Sequence, residues 1–221
     1  MADQSFPERL KANLGRWGWL LTLQKLIFDR AARFLGIHIH LVRVRPMAGQ
    51  PEYPQTPPEI LFKLVDPEDC LRFGDEPELD LDRDFVNAAI ERGDLMFGAF
   101  DGDSLISYVW RTTTTAPHND RLWVRVDPPY CYCYKSLTLP PYRGKRISPA
   151  AHLFSDVEMA SRGFSHRAGF VSVANLSSLS MGKYMGSIPI GYAGYISWFG
   201  QTWPFRTRSV RKIGFEFYKP A

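Results

Sequence analysis

The chain has 221 residues, which suits one domain of moderate size with room for a short additional segment. Its hydrophobic content of 45% and charged content of 23% are those of a globular protein and exclude an intrinsically disordered chain. The formal net charge of +4 is too small by itself to indicate a protein that binds nucleic acid. Because we find neither a secretory signal nor an apolar run long enough to span a bilayer, we expect a cytoplasmic protein.

The N-terminal 45 residues combine positive charge with a strongly apolar helix. Apolar residues recur at helical spacing from Trp17 to Leu35, and Gly36 is typical of a helix end. Polar residues form only a narrow stripe, so most of the helix surface is apolar and must pack against another surface. That surface belongs either to an anionic membrane, contacted peripherally from its inner face, or to the protein's own domain or the second subunit of a homodimer. We expect residues 1–45 to serve location or assembly and not chemistry.

A short strand and a proline-rich segment follow this helix. Residues Ile37 to Val44 alternate in polarity, which predicts a strand with His38 and His40 on one face. No third ligand accompanies the two histidines, so we interpret them as structural or surface residues. Five prolines between positions 46 and 58 indicate a linker. We therefore divide the chain into residues 1–57, a basic helix with a short strand and linker, and residues 58–221, the main domain.

The three cysteines are Cys70, Cys131 and Cys133. Cys131 and Cys133 are two residues apart, so on a strand their side chains point to one face. No cluster of histidine and cysteine around them completes a zinc pattern. We interpret all three as reduced thiols in a reducing compartment, and we expect no metal.

The remaining chain alternates between strand and helix patterns. The order predicted from periodicity and turn residues is strand 60–65, a short helix from 66, helix 80–92, strands 95–100 and 105–115 joined as a hairpin, strands 122–126 and 130–139, a long helix, strand 168–173, helix 175–186, and strands 190–199 and 206–218. A mixed order with one long crossover helix predicts an α/β sheet with helices on its faces.

The stretch from Leu137 to Gly163 reads as a strand, a basic turn and a helix. Ser148 stands where a helix N-cap is expected, and Pro149 suits the first helical position because its missing N–H costs nothing there. A loop that opens onto a helix N-terminus offers backbone N–H groups and the positive end of the helix dipole. Cations at positions 143, 145 and 146 add to this, so the stretch is a candidate phosphate site.

This stretch resembles the pyrophosphate loop of the GNAT superfamily of acetyl-CoA-dependent N-acetyltransferases, whose pattern is R/Q-x-x-G-x-G/A. Residues Thr138 to Lys145, TLPPYRGK, are similar to the usual strand end and loop of that family. Two positions depart from the pattern, because Arg146 replaces the first motif glycine and Ser148 replaces the second small residue.

A second similarity to the GNAT superfamily follows at a suitable distance. Asn175 to Leu179, NLSSL, resembles the N-x-x-S start of the helix after the fifth family strand, and Lys183 to Gly186 resembles its K-x-x-G end. The catalytic tyrosine of many members falls on Gly182 here and is not carried over. Ser178 corresponds to a serine that lies near the thioester sulfur in one branch, which makes Ser178 the candidate catalytic residue, with a helix-capping hydroxyl as the alternative.

The resemblance implies a GNAT-like α/β domain, with a mixed, mostly antiparallel central sheet flanked by helices and an N-terminal helical extension added. It implies an enzyme that moves an acetyl or other acyl group from acyl-CoA to an amine by direct attack. Candidate bases are Tyr132, Tyr134 and His118. The residues implied to bind the acetyl-CoA cosubstrate are Leu137, Thr138, Leu139, Arg143, Gly144, Lys145, Arg146, Ile147, Ser148 and Asn175.

Two alternatives stay open at this point. The missing tyrosine and the altered glycines suit a catalytically silent module that binds CoA. The apolar extension suits an N-acyltransferase that uses a long acyl chain on an acyl carrier protein. No nucleic-acid partner is expected in any of the three.

Overall fold

An eight-stranded sheet forms the centre of the protein, and strands from both ends of the chain take part in it. The computed structural model describes residues 5–47, 52 and 54–220. In this part of the chain the helices are α1 (Phe6–Leu35), α2 (Pro67–Phe73), α3 (Arg83–Glu91), α4 (Ile147–Ser161), α5 (Leu176–Tyr184) and α6 (Arg208–Arg211). The strands are β1 (Ile37–Pro46), β2 (Ile60–Val65), β3 (Leu95–Asp101), β4 (Ser104–Thr112), β5 (Thr115–Asn119), β6 (Leu122–Arg125), β7 (Tyr130–Thr138), β8 (His166–Ser172), β9 (Ile188–Trp198), β10 (Gln201–Arg206) and β11 (Glu216–Tyr218).

The large sheet has the strand order β10-β9-β1-β8-β7-β4-β3-β2, and a small sheet has the order β11-β6-β5. Neighbouring strands pair antiparallel, except that β7 and β8 pair in parallel. Helix α4 connects those two strands, as a parallel pair requires a crossover, and packs on β2, β3, β4 and β7. The predicted class is thus confirmed: a mixed, mostly antiparallel sheet flanked by helices, with an N-terminal helix added.

Helix α1 covers the predicted helix and begins earlier along the chain. The Ser5 backbone N–H donates to Glu8 Oε2 at 2.9 Å, which satisfies one donor at its start. Gly18 has φ 75° and ψ 172°, so α1 consists of two helical segments that meet at this residue. Gly36 adopts the left-handed conformation at the end of the helix, as its position in the sequence predicts.

Strand β1 lies inside the large sheet, between β8 and β9. It pairs with β8 from His40 to Pro46 and with β9 from Ile37 to Val44. The sheet therefore crosses the boundary that we predicted near residue 57. The expectation that residues 1–45 serve only location or assembly is wrong for β1, because without it β8 and β9 have no shared neighbour.

The two faces of the large sheet are covered by different elements. Helix α4 lies on one face and buries Ile147 and Met159 against the sheet. The small sheet, with Phe215 and Phe217 in its core, covers the central strands on the opposite face. Helices α2 and α3 cover the outer strands there, around the fully buried Trp110. Side chains alternate along each strand, so neighbouring residues of β1 and β7 serve opposite faces.

The strand that we predicted over residues 206–218 is wrong. Only its ends are extended, and α6 lies between them. Val210 and Ile213 are three residues apart and both buried, a spacing that suits a helix and not a strand. Gly214, with φ 67°, then turns the chain into β11. The other predicted elements lie within a few residues of their predicted bounds.

Among the described residues, no helix is both long and apolar enough to cross a bilayer.

Removing residues 1–54 is expected to unfold the domain, whereas removing residues 1–35 should leave it folded. Both chains lack α1, but only the longer deletion removes β1. Val42 and Val44 of β1 are 0% and 6% exposed, and burying two such side chains contributes about 3–6 kcal/mol, against about 5–15 kcal/mol for a whole domain. Far-UV circular dichroism and urea unfolding measure the difference. Cooperative unfolding of a chain that begins at Gln55 would contradict the structural role of β1.

Candidate active site

The candidate site opens where the parallel strands β7 and β8 separate. They pair at only three positions, the last joining Tyr132 to Ala168. Beyond it, β7 stays paired with β4 up to Thr138, and β8 stays paired with β1 up to Ser172. Each strand thus follows its other neighbour, and a cleft opens between them.

A β-bulge lies at the closed end of this cleft. Trp110 of β4 faces Lys135, but the next residue, Arg111, faces Cys133, so Tyr134 is an extra residue in β7. A bulge leaves the extra residue outside the regular hydrogen-bond ladder and re-aims its side chain. The backbone of β7 is thus released from its regular pairing where the two strands part.

The cleft has a volume of about 200 Å³. Helix α5 forms one wall, with Ser178 and Gly182 among the lining residues, and α4 contributes His152. The candidate catalytic residue Ser178 therefore lies at the cleft, as the sequence comparison with the family suggests.

Strand β1 positions the α5 wall through Arg43. Its guanidinium donates to the carbonyl of Leu179 at 2.7 Å and to that of Ser187 at 3.1 Å. A Cβ on Gly182 would lie 2.5 Å from Arg43 Nη1, so this position admits no side chain while the arginine stays in place. Arg43 thus occupies the space beside the position where many family members carry tyrosine, a relation that the sequence alone did not indicate.

A cysteine and a histidine meet in the cleft. Cys133 Sγ lies 3.9 Å from His152 Nδ1. His152 is 6% exposed, and its Nε2 has no hydrogen-bond partner among the described residues. Burial, together with three nearby arginines, lowers the pKa of His152 well below its usual value, so the imidazole is neutral near pH 7. Sequence reasoning missed this pair, since its members belong to different elements 19 residues apart.

Three arginines converge on one buried carboxylate beside this pair. Asp156 of α4 accepts from Arg45 at 2.6 Å, from Arg111 at 2.9 Å and from Arg167 at 3.1 Å. Asp156 and Arg111 are 1% and 0% exposed. Three guanidinium groups thus face one carboxylate, which leaves an excess of positive charge under the cleft.

The basic loop before α4 has the backbone that a tight strand-to-helix turn requires. Gly144 has φ 82° and Arg146 has φ 60°. Helix α4 begins at Ile147 after Arg146, so our prediction of Ser148 as the N-cap is wrong by two residues. The Ser148 hydroxyl instead contacts Met181 Sδ at 3.8 Å. Lys145 lies over the ring of Tyr142, at 4.9 Å from its centroid.

A second groove, of about 520 Å³, begins at this loop and leads towards the cleft. Arg146 and Leu153 of α4 line it, together with Arg45 and one acid, Glu52. Met185, after α5, lines both the groove and the cleft, so the two spaces adjoin. Of the loop residues predicted to bind the cosubstrate, Arg146 lines this groove, which shares Met185 with the cleft that Ser178 lines.

Other predicted cosubstrate residues lie apart from this groove or serve the fold. Leu137 and Leu139 at the end of β7 pack partly into the core beside α2 and α3. Thr138 Oγ1 lies 2.7 Å from Ser107 Oγ. Asn175 caps α5, since its Oδ1 accepts from Ser178 N at 3.1 Å, and it lines a separate groove beside α1.

Of the three candidate bases, Tyr134 lines the cleft. Its hydroxyl donates to Asp94 Oδ2 at 2.9 Å, and its pKa is raised by burial and by that carboxylate. Tyr132 is buried in the core on the opposite side from α4. His118 Nε2 lies 3.1 Å from the Tyr195 hydroxyl, and burial lowers the pKa of His118 to about 4.

Comparisons with known proteins agree with this architecture. No family profile and no curated protein matches the sequence. Among solved structures, a Drosophila protein is similar with a TM-score of 0.50 and 15% identity, over 90% of this chain and 58% of that one. A tandem GNAT protein from the clavulanic acid biosynthesis pathway gives 0.49 and 13%, over 87% and 59% of the two chains. A protein described as a GNAT acetyltransferase from Novosphingobium aromaticivorans gives 0.47 and 14%, over 71% and 61%.

The architecture of the described residues agrees with the one that the sequence resemblance to the GNAT superfamily implies. That resemblance implies a mixed, mostly antiparallel sheet flanked by helices, and the structure adds that its parallel pair separates after three positions. Identities of 13–15% speak to the fold alone, and this chain spans about three-fifths of the length of these structures.

Replacing Asp156 with Asn is expected to lower the free energy of unfolding by about 3–5 kcal/mol, because it leaves buried guanidinium groups without their counter-charge. Asp29→Asn serves as the matched control. Asp29 pairs with Lys25 on an exposed helix face, where such pairs contribute about 0.3–0.5 kcal/mol. Urea unfolding monitored by fluorescence measures both variants. Equal stabilities for the two would show that the buried cluster is not important for the fold.

Proposed function

We propose that the protein is an acyl-CoA-dependent N-acyltransferase with acetyl-CoA as its donor. The observation that supports this most directly is that the groove at the N-terminus of α4 lies next to the cleft between β7 and β8, with Met185 lining both. A space suited to phosphate thus lies beside a space suited to a thioester.

The pyrophosphate of CoA would be held by the loop from Arg143 to Ser148. The first turn of α4 has backbone N–H groups without partners inside the helix, and the helix dipole adds positive potential. Gly144 carries no side chain that would keep a phosphate from the backbone. Arg146 lines the groove and supplies a cation. Because the family pattern has glycine at this position, the arginine adds a positive charge to the site.

The thioester would lie in the cleft, with the pantetheine arm along Leu137 to Leu139. The amine nitrogen attacks the carbonyl carbon, the C–S bond breaks, and the CoA sulfur leaves with a proton. The backbone of β7 at the bulge is placed to polarise the carbonyl. Ser178 would lie near the sulfur, and the Tyr134 hydroxyl, held by Asp94, is the candidate for proton transfer.

The size of the cleft favours acetyl over a long acyl chain. Its volume of about 200 Å³ lies below the range of about 300–1,000 Å³ typical of pockets for drug-sized ligands. The long-chain alternative would need a second cavity for the chain. The silent-module alternative predicts CoA binding without transfer to any amine, and the chemistry available at the cleft argues against it.

We also propose that α1 and the β9–β10 turn hold the enzyme on an anionic membrane surface. Five large apolar side chains at the end of α1 and around the β9–β10 turn are all more than half exposed: Phe34, Leu35, Trp198, Phe199 and Trp203. We call these five residues the apolar tip. The two parts of the apolar tip adjoin, because Ser197 N donates to Gly36 O at 2.9 Å. Helix α1 adds cations, and one of its acids, Asp29, is paired with Lys25. Apolar side chains beside cations match the chemistry of an anionic lipid surface.

Arg146→Gly is expected to weaken acetyl-CoA binding about tenfold without lowering stability. Losing a charged hydrogen bond costs about 1.5–3 kcal/mol, and 1.4 kcal/mol corresponds to tenfold. Stability is retained because glycine adopts the left-handed conformation of Arg146 without the penalty of about 1–2 kcal/mol. Calorimetry with acetyl-CoA measures affinity, and Arg162→Gly at the other end of α4 is the control. No binding of millimolar acetyl-CoA to the unaltered protein would reject the proposed function.

The double variant Trp198→Ser, Phe199→Ser is expected to bind anionic vesicles at least about tenfold more weakly, because burying each side chain contributes about 1.5–3 kcal/mol. Sedimentation with phosphatidylserine-containing vesicles measures binding, and added salt should weaken it. Leu61→Ser is the control, since Leu61 is exposed on β2 at the other edge of the sheet. Equal binding to neutral vesicles, or a dimer that the double variant dissociates, would overturn the membrane proposal.

A further inference from the structure

The direct attack described above leaves two reactive groups of the cleft unused. Cys133 and His152 lie where β7 and β8 begin to part, on the face of the sheet that carries α4. Both line the same cleft as Ser178. A thiol beside an imidazole is an arrangement used for nucleophilic catalysis.

Cys133 differs from the other two cysteines of the chain. Cys70 and Cys131 are 2% and 0% exposed, and burial raises their pKa values to about 12 and about 11. The Cys70 thiol also contacts the carbonyl of Val65. These two are structural side chains of the core. Cys133 is partly exposed to the cleft, so a bound thioester can reach it.

We propose that Cys133 accepts the acyl group from acyl-CoA before the amine does, with His152 as its base. This inference rests on the proposed function and specifies its chemical route. It replaces a single transfer by two transfers through an acyl-cysteine.

The two steps balance without any further reagent. In the first, the Cys133 proton passes to His152 Nδ1, the sulfur bonds to the thioester carbonyl carbon, and the bond from that carbon to the CoA sulfur breaks. The proton then passes from His152 to the CoA sulfur, which leaves as the thiol. In the second, the amine nitrogen bonds to the carbonyl carbon of the acyl-cysteine, the bond from that carbon to the Cys133 sulfur breaks, and a proton from the amine passes to that sulfur, which regenerates the thiol.

The charges around the pair favour this sequence. The arginines that converge on Asp156 leave excess positive charge beside the pair. Burial and the same arginines lower the pKa of His152, so the imidazole is neutral near pH 7, and a proton that it takes from Cys133 passes readily to the leaving sulfur. The distance of 3.9 Å is long for a proton transfer, but catalytic hydrogen bonds commonly shorten when the substrate binds.

The test mixes full-length protein with acetyl-CoA in the absence of amine and quenches the mixture in acid. Intact mass should show one added acetyl group per chain, with an equal amount of CoA released, and peptide mapping should place the group on Cys133. Cys133→Ala should lose the adduct while retaining acetyl-CoA binding by calorimetry. Cys70→Ala, which alters a core cysteine away from the cleft, should retain the adduct. His152→Gln should slow its formation by about 100-fold.

Three results would overturn the inference. The first is an acetyl group spread over all three cysteines, as in the unfolded protein, because that indicates non-specific acylation. The second is amine acetylation by Cys133→Ala at the unaltered rate over a panel of primary amines, which would leave the proposed function standing with direct attack as its route. The third is failure of the unaltered protein to bind acetyl-CoA, which would reject both the inference and the proposed function.

Discussion

The early separation of β7 from β8 is the constraint on which the rest of the structure depends. Two parallel strands that part after three positions must each be held from outside, or the free backbone groups would pair again or bind water. On one side β4 holds β7. On the other side β1 holds β8, and this task falls to a strand from before the proline-rich segment. The cleft exists because β7 stays paired with β4 and β8 stays paired with β1 after the pairing between β7 and β8 has ended.

This arrangement gives the N-terminal segment two functions with different physical bases. Strand β1 is structural, because it buries side chains on one face and sends Arg43 and Arg45 to the other. Arg45 joins the carboxylate of Asp156 and the carbonyl of Met185, so a single side chain ties β1 to both helices that border the site. Helix α1 contributes less to the core, since many of its apolar residues are exposed. Its cations and its exposed apolar side chains are the features on which the proposed membrane contact rests.

The sequence was informative where structure is decided locally. Gly36 as a helix end, Asp66-Pro67 as a helix start and the turn at 101–103 were all predicted, because each depends on the backbone preferences of a few neighbouring residues. The placement of β1 was not, because alternation reveals that a strand has two faces and does not reveal its partners. The stretch from 206 was misread because α6 has only four residues, too few to show a helical period between the extended ends of the stretch.

The candidate site shows the same division. The loop and Ser178 were found through similarity to a family pattern that is contiguous in sequence. The pair of Cys133 and His152 and the cluster around Asp156 join residues from different elements, and no local pattern marks them. Gly182 connects the two cases. Its sequence position shows that the usual tyrosine is missing, and the structure shows that a Cβ at Gly182 would lie 2.5 Å from Arg43 Nη1. A chain that gives this space to an arginine from β1 cannot regain the tyrosine by a single substitution, because the new ring would meet Arg43. Under the proposed function the proton transfers would use other groups, and the cleft offers Tyr134 with Asp94 on one side and His152 with Cys133 on the other.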